Sequence, residues 1–267
     1  ARSPAKGLPA RAASAPSRAA SMPQKSAAAA TPEGYAVAPV PGWVKPVAEE
    51  TADALPAPAA PFLLMDRQVR LGTGAQSQFE HFIRRINDAS GLQAAAQIEI
   101  VFDPTYQKLV MHQVDVVREG QRLPRLDARL PRLLRRETQL ERQIIDGRMT
   151  ASIVLDDVRV GDRIEWSYTL EGANPVFAGR YVANAFVLAN AAPVAQWQLR
   201  LLAPADRRIA HRVGGPEIKV EETVADGWRE TRVSRQGIPQ WRPDPTWPPD
   251  VYLRDQIEFS EFTDWSE

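Results

Sequence analysis

The sequence predicts an all-β fold, mainly a two-sheet antiparallel β-sandwich, on three observations. Apolar residues recur with a period of two through most of the chain beyond Phe62. Turn-forming pairs punctuate these runs: Asp103-Pro104, Glu119-Gly120, Asp146-Gly147, Gly161-Asp162, Gly214-Gly215 and Asp226-Gly227. Apolar residues make up 44% of 267 positions, enough to bury a core without disulfides or metal. Alternation puts one set of side chains on a buried face and the other in water, and repeated short strands with frequent turns suggest stacked sheets.

The segments follow in order. Residues 1–34 form a leader of Ala, Ser, Pro and Arg. It carries Arg2, Lys6, Arg11, Arg18 and Lys25, with no acid before Glu33. It lacks the branched and aromatic residues that offset ordering entropy, so it reads as disordered. Residues 35–61 are a strap with Pro39, Pro41, Pro46, Pro56, Pro58 and Pro61. Proline fixes φ and removes a donor, which favours an extended path. Tyr35, Val40, Trp43 and Val47 are placed to dock onto a core as the strap passes.

Residues 62–238 are the sandwich. Ile164, Trp166, Tyr168 and Leu170 alternate with Arg163, Glu165, Ser167 and Thr169, launched by the tight turn Val160-Gly161-Asp162. Trp197, Leu199 and Leu201 form a second such face, Ile98, Ile100 and Phe102 a third, Val110, Val114 and Val116 a fourth, and Ile218 and Val220 a fifth. Two stretches break the pattern. Phe79, Phe82, Ile83 and Ile86 follow helical spacing, though a strand also fits, and residues 129–143 suit a helical turn or an irregular excursion. Residues 239–267, with prolines crowded around Trp241 and Trp247, read as a linker leading to another domain.

Charge excludes little but points away from polyanions. Lys+Arg and Asp+Glu both number 33, so the net charge is zero and predicts neither nucleic-acid nor membrane binding. The chain has no cysteine, which removes thiol chemistry, disulfides and Cys-based zinc sites from these residues. No run of about 18 apolar residues is present to span a bilayer.

Candidate chemistry is sparse. G-x-S-x-G, H-E-x-x-H and a phosphate loop are all missing from the sequence. Gly72-Thr73-Gly74 begins like a dinucleotide fingerprint, but Ser77 stands where the third glycine belongs, so a β-turn is the reading. His81, His112 and His211 are too scattered for metal spacing. His112 falls in phase with Val110 and Val114 and reads as a hydrogen-bonded core histidine. Asp156, Asp157 and Asp162 read as turn and strand-cap groups rather than a calcium loop. The arginine-rich segment 118–148 includes Arg122, Arg125, Arg129, Arg132, Arg135 and Arg136. It reads as a solvated face paired to local acids, with an anionic partner as the alternative. Trp241, Trp247 and Trp265 are candidate interdomain contacts, or a platform for sugar or peptide.

Two longer pieces carry a resemblance: YQKLVMHQVDVVREG (106–120) and IIDGRMTASIVLDDVRVGDRIEWSYTLEGANPVFAG (144–179). With the flanking VPGWVKPV (40–47) and FSEFTDWSE (259–267), they resemble a bacterial domain of unknown function found upstream of transglutaminase-like domains. The paired motifs are His-x5-Arg-x-Gly, starting at His112, and Val-Gly-Asp-x-Ile-Glu-aromatic-x-Tyr, starting at Val160. The resemblance implies an N-terminal β-sandwich module of a larger, extracytoplasmic or periplasmic protein. The Cys-His-Asp chemistry of that protein would belong to the downstream domain.

The expectation is therefore a non-catalytic accessory module with no catalytic residue, cofactor or metal of its own. Its partner would be a downstream transglutaminase- or peptidase-like domain. The alternative is a sandwich that binds carbohydrate or cell-envelope polymer. A hydrolase using two carboxylates is the least favoured, because nothing nominates a pair.

Overall fold

The computed structural model describes residues 29–30, 34–47, 61–127, 131–135, 147–186, 192–214, 218–240 and 256–262. Their strands are β1 (Ala29–Ala30), β2 (Tyr35–Val37), β3 (Phe62–Leu71), β4 (Gln76–Arg85), β5 (Gln97–Phe102), β6 (Lys108–Arg118), β7 (Gln121–Pro124) and β8 (Arg132–Arg135). They continue with β9 (Met149–Val154), β10 (Arg163–Glu171), β11 (Val182–Phe186), β12 (Val194–Pro204), β13 (Ala210–Gly214), β14 (Lys219–Ala225), β15 (Trp228–Ile238) and β16 (Gln256–Ser260). The helix α1 spans Ala89–Ala95, and Asp88 caps it by accepting from the Gly91 amide. The all-β expectation holds.

One long sheet dominates, in the order β1-β2-β6-β10-β4-β3-β12-β15-β14, with β7 added beside β6. Two three-stranded sheets, β5-β9-β8 and β11-β16-β13, form the second layer. The sandwich thus has its second layer split in two. Most pairs are antiparallel, but β2 runs parallel to β6 and β12 parallel to β3.

The register shows which side chains share a face. Trp166 pairs with Phe82, Phe82 with Met65 and Met65 with Trp197, so these four point the same way. That face carries two cores side by side. The first packs Leu109, Met111, Val114, Val116, Ile164 and Leu170 against Ile98, Ile100, Phe102, Ala151 and Ile153. The second packs Val69, Leu71, Leu199, Leu201 and Val233 against Tyr181, Ala185, Ile257 and Phe259. Burying each Val, Leu, Ile, Met or Phe among them stabilises by roughly 1.5–3 kcal/mol. Between the cores lies an ion pair, Arg67 Nε to Glu80 Oε1 at 2.6 Å, with Gln78 donating to the same oxygen at 2.7 Å.

Four local readings change. Phe79, Phe82 and Ile83 lie in strand β4, not a helix. β4 is a central strand covered on both sides, so apolar residues occupy both faces and blur the period of two. Val110 and Val114 do not share a face. A β-bulge shifts the β6–β10 register, so Val110 pairs with Thr169 and Val114 with Trp166, leaving His112 as the extra residue. Within the 129–143 excursion, Arg132–Arg135 form an edge strand, and residues 128–130 and 136–146 lie outside the described residues. Residues 256–260, assigned above to the segment 239–267, form the central strand of the β11-β16-β13 sheet. Behind it, Arg207 binds Glu261 at 2.5 Å and the Gly72 and Gly179 carbonyls at 3.0 and 2.8 Å.

Candidate functional site

The opposite face of the long sheet is polar, and the strap crosses it. β2 ends where Ala38 donates its amide to the Met111 carbonyl. His112 Nδ1 then donates to the Ala38 carbonyl at 2.8 Å, which leaves Nε2 to accept from Thr169 Oγ1 at 2.7 Å. Burial lowers the His112 pKa, consistent with this neutral form. His112 is therefore a structural tie: it is hydrogen-bonded as the sequence suggested, but from a half-buried bulge position rather than in phase with Val110 and Val114. Beyond a turn closed by Val44 N to Pro41 O, Lys45 exchanges two hydrogen bonds with the Gln68 side chain, at 3.0 and 2.6 Å. Arg200 Nη1 donates to the Trp43 carbonyl at 3.0 Å.

Beneath the strap runs a row of polar side chains contributed one per strand. Gln198, Asp66, His81, Ser167 and Gln113 are successive register partners across β12, β3, β4, β10 and β6. A cavity of about 330 Å3 opens between this row and strap residues Val40, Val44 and Val47, with Phe79 and Glu165 also lining it. Asp, His and Ser in a row are the residue types of a hydrolytic triad, but the contacts differ. His81 Nε2 donates to Glu165 Oε1 at 3.0 Å, and Ser167 Oγ is buried with no hydrogen-bond partner. A nucleophile needs its base within hydrogen-bond reach, and that contact is not made here.

The charges of the row are set by their neighbours. Burial pushes the Asp66 carboxyl up to about 6, against the opposing Gln68 hydrogen bond, and its Oδ1 has no partner. Burial also pushes Glu165 up, but hydrogen bonds and charge from His81 and Arg122 outweigh it and hold the carboxyl down at about 2. Arg122 bridges Glu165 at 2.8 Å and Asp115 at 2.5 Å, so this member of the arginine-rich segment is paired to acids.

Folding linkage makes these shifts visible. Asp66 binds its proton more tightly folded than unfolded, so its ionisation costs stability above about pH 6 and the cost fades as the pH falls towards 4. Glu165, and Glu230 described below, have depressed values, so their contribution is present above about 4.5 and lost as the pH falls towards 2. Stability is expected to peak near pH 5. Asp66→Asn should stabilise the fold by about 1–3 kcal/mol at pH 8 and by little at pH 4, read by urea denaturation at both values. An equal effect at both would show that burial of the charge is not the cause.

A second cavity, of about 440 Å3, lies further along the same face, between the strap turn at Gly42-Trp43 and the β14–β15 hairpin. That hairpin turns at Asp226-Gly227, with φ of 51° and 77°, the left-handed pair that suits a two-residue connection. Trp43, Trp228, Arg70, Lys45, Arg200 and Glu230 line the cavity. Glu230 accepts from Lys45 Nζ at 2.7 Å and pairs with Arg200 at 2.9 Å and Arg232 at 2.7 Å. Its burial penalty is outweighed by these partners, which hold the carboxyl at about 2.

The other sequence candidates fall elsewhere. Gly72 to Ala75 is the β3–β4 hairpin turn, with Gly72 N donating to Ala75 O. Asp162 accepts two bonds from Arg118, at 2.9 and 2.8 Å, and one from the Arg159 amide at 2.8 Å. Trp241, Trp247 and Trp265 lie outside the described residues. Among the described residues no three His, Asp or Glu side chains are grouped to hold a metal, and no helix is long and apolar enough to cross a membrane.

A model of the domain-of-unknown-function family DUF3857 matches residues 72–241. The chain belongs to the DUF3857 family. The match begins at Gly72, so the strap and β3, which supply Lys45, Asp66, Gln68 and Arg70, lie outside the matched residues. The fold is similar to the crystal structure of a putative protease from Parabacteroides distasonis, with a TM-score of 0.65 at 14% identity. That likeness covers 76% of this chain and 40% of the Parabacteroides chain, so the DUF3857 protein spans less than half its relative's length. No curated protein matches the sequence.

Proposed function

We propose that this DUF3857 domain is a non-catalytic accessory module that packs against, or positions, a transglutaminase- or peptidase-like domain of a larger extracytoplasmic polypeptide. The observation that carries the reading is the coverage. The likeness covers 40% of a chain described as a putative protease, so more than half of that chain lies outside it. Two further points support it. The sequence pieces at 106–120 and 144–179 resemble a domain that precedes transglutaminase-like domains. In the Asp66–His81–Ser167 row, the serine has no base. Peptidase and transamidase turnover is expected to be absent from the 267-residue chain alone and present in the polypeptide that joins it to its catalytic partner. Turnover by the chain alone that disappears in Asp66→Asn or Glu165→Gln would overturn the reading.

A second reading, a module that holds carbohydrate or cell-envelope polymer, is favoured by one observation. Two tryptophans, Trp43 and Trp228, share the 440 Å3 cavity with polar groups of both signs. Small-ligand sites commonly enclose about 300–1,000 Å3 and combine aromatic walls with a few placed polar groups.

A further inference from the structure

Resting on the carbohydrate reading, we propose that the cavity between the strap turn and the β14–β15 hairpin binds a saccharide bearing a carboxylate. The charges of the lining point to an acidic ligand. Lys45, Arg70 and Arg200 stand against Asp226 and Glu230, an excess of one cation over the five. Glu230 is committed to Lys45, Arg200 and Arg232. Arg70 is the cation left over. It is exposed, its guanidinium carbon sits 4.8 Å from the centroid of the Trp228 ring, and it pairs with no carboxylate among the described residues. A guanidinium laid on an indole keeps its N–H edge directed outward, where it can grip a carboxylate with two parallel bonds.

The remaining groups point to a sugar rather than a plain organic acid. Asp226 and Thr223 also line the cavity, and a carboxylate oxygen there can accept a hydrogen bond from a ligand hydroxyl. A simple aliphatic carboxylate offers no hydroxyl for that contact. Ring hydroxyls serve donors and acceptors alike, and the C–H face of a pyranose can lie on Trp43 or the free edge of Trp228. The wall is held in place before any ligand arrives. Arg200 is 3% exposed and ties the Trp43 carbonyl, Gln68 and Glu230 together, at 3.0, 3.1 and 2.9 Å.

The test is calorimetric titration of the 267-residue chain with trigalacturonate, and with the uncharged trisaccharides cellotriose and chitotriose. Trigalacturonate is expected to bind at least tenfold more tightly than either neutral sugar. Arg70→Gln, at an exposed position that leaves the fold intact, should lower its affinity tenfold or more. Trp228→Ala should weaken every sugar that binds. Equal affinity for neutral and acidic sugars, with Arg70→Gln silent, would overturn the acidic specificity while leaving the carbohydrate reading standing. No binding of any of the three would overturn both. Tight trigalacturonate binding unchanged in both variants would place the ligand elsewhere and overturn this site.

Discussion

Glu230→Gln is expected to destabilise the fold by about 3–5 kcal/mol, the cost of removing one partner from a buried ion pair. The reason is Arg200. Its guanidinium cannot shed its proton, and at 3% exposure it has little contact with water. Its Nη1 is held by neutral acceptors, the Trp43 carbonyl and Gln68, and among the described residues Glu230 alone supplies an ion pair, at 2.9 Å. The amide also leaves Lys45 and Arg232 without their carboxylate, so three cations converge where one anion stood. Lys45→Met should cost far less, because Lys45 is 58% exposed and its pair is partly screened. Urea denaturation of the two variants at pH 7 separates the cases. A Glu230→Gln loss no larger than that of Lys45→Met would mean that Arg200 finds solvent and that the network is not closed.

Gly172→Ala should be comparably severe, at about 3 kcal/mol or more, for a reason unrelated to charge. Gly172 follows β10 with φ at +129°, and its amide donates to the Gln76 carbonyl at 2.8 Å. A Cβ there would stand 1.8 Å from the Tyr106 carbonyl oxygen. That neighbour is backbone, held in the turn that joins β5 to β6 by the Tyr106 and Gln107 amides donating to Asp103 O. It cannot rotate aside as a side chain would. Gly74→Ala is the matched control. Its φ is +69° with nothing within 4 Å of the added carbon, so only the backbone preference is lost, about 1–2 kcal/mol. Similar losses in the two variants would show that the 103–107 turn yields to the methyl group.

Legibility in the sequence followed burial. β10 and β12 alternate cleanly because each has an apolar face on a core and polar residues on the other side. β4 was ambiguous because Phe79 and Ile83 meet the strap side while Phe82 stacks on Trp166, 5.0 Å between centroids, on the core side. The bulge at His112 could not be seen, since a one-residue insertion looks like uninterrupted alternation until the partner strand is known. The two resemblance motifs turn out to be one physical unit, because Arg118 of the first grips Asp162 of the second with two bonds. The candidate site was hidden for a different reason. Arg200 sits between Leu199 and Leu201, which by alternation assigns it to water, and it is buried only because the strap covers that face. The signal present was the proline-rich strap itself, carrying Trp43 and Lys45 towards the sheet.

The order of strands along the chain sets a timetable for synthesis. The strands that build the first core, from β2 to β10, lie before residue 172. The second core needs Ile257 and Phe259, from the strand that slots between β11 and β13. On the ribosome, the first half has its full complement of partners while the second still waits. Until residue 260 has emerged, β11 and β13 lack the strand that pairs with both, and the amides and carbonyls it would meet have no partner in β16. That interval is when a nascent chain is most open to capture by a chaperone or by the edge strand of another copy.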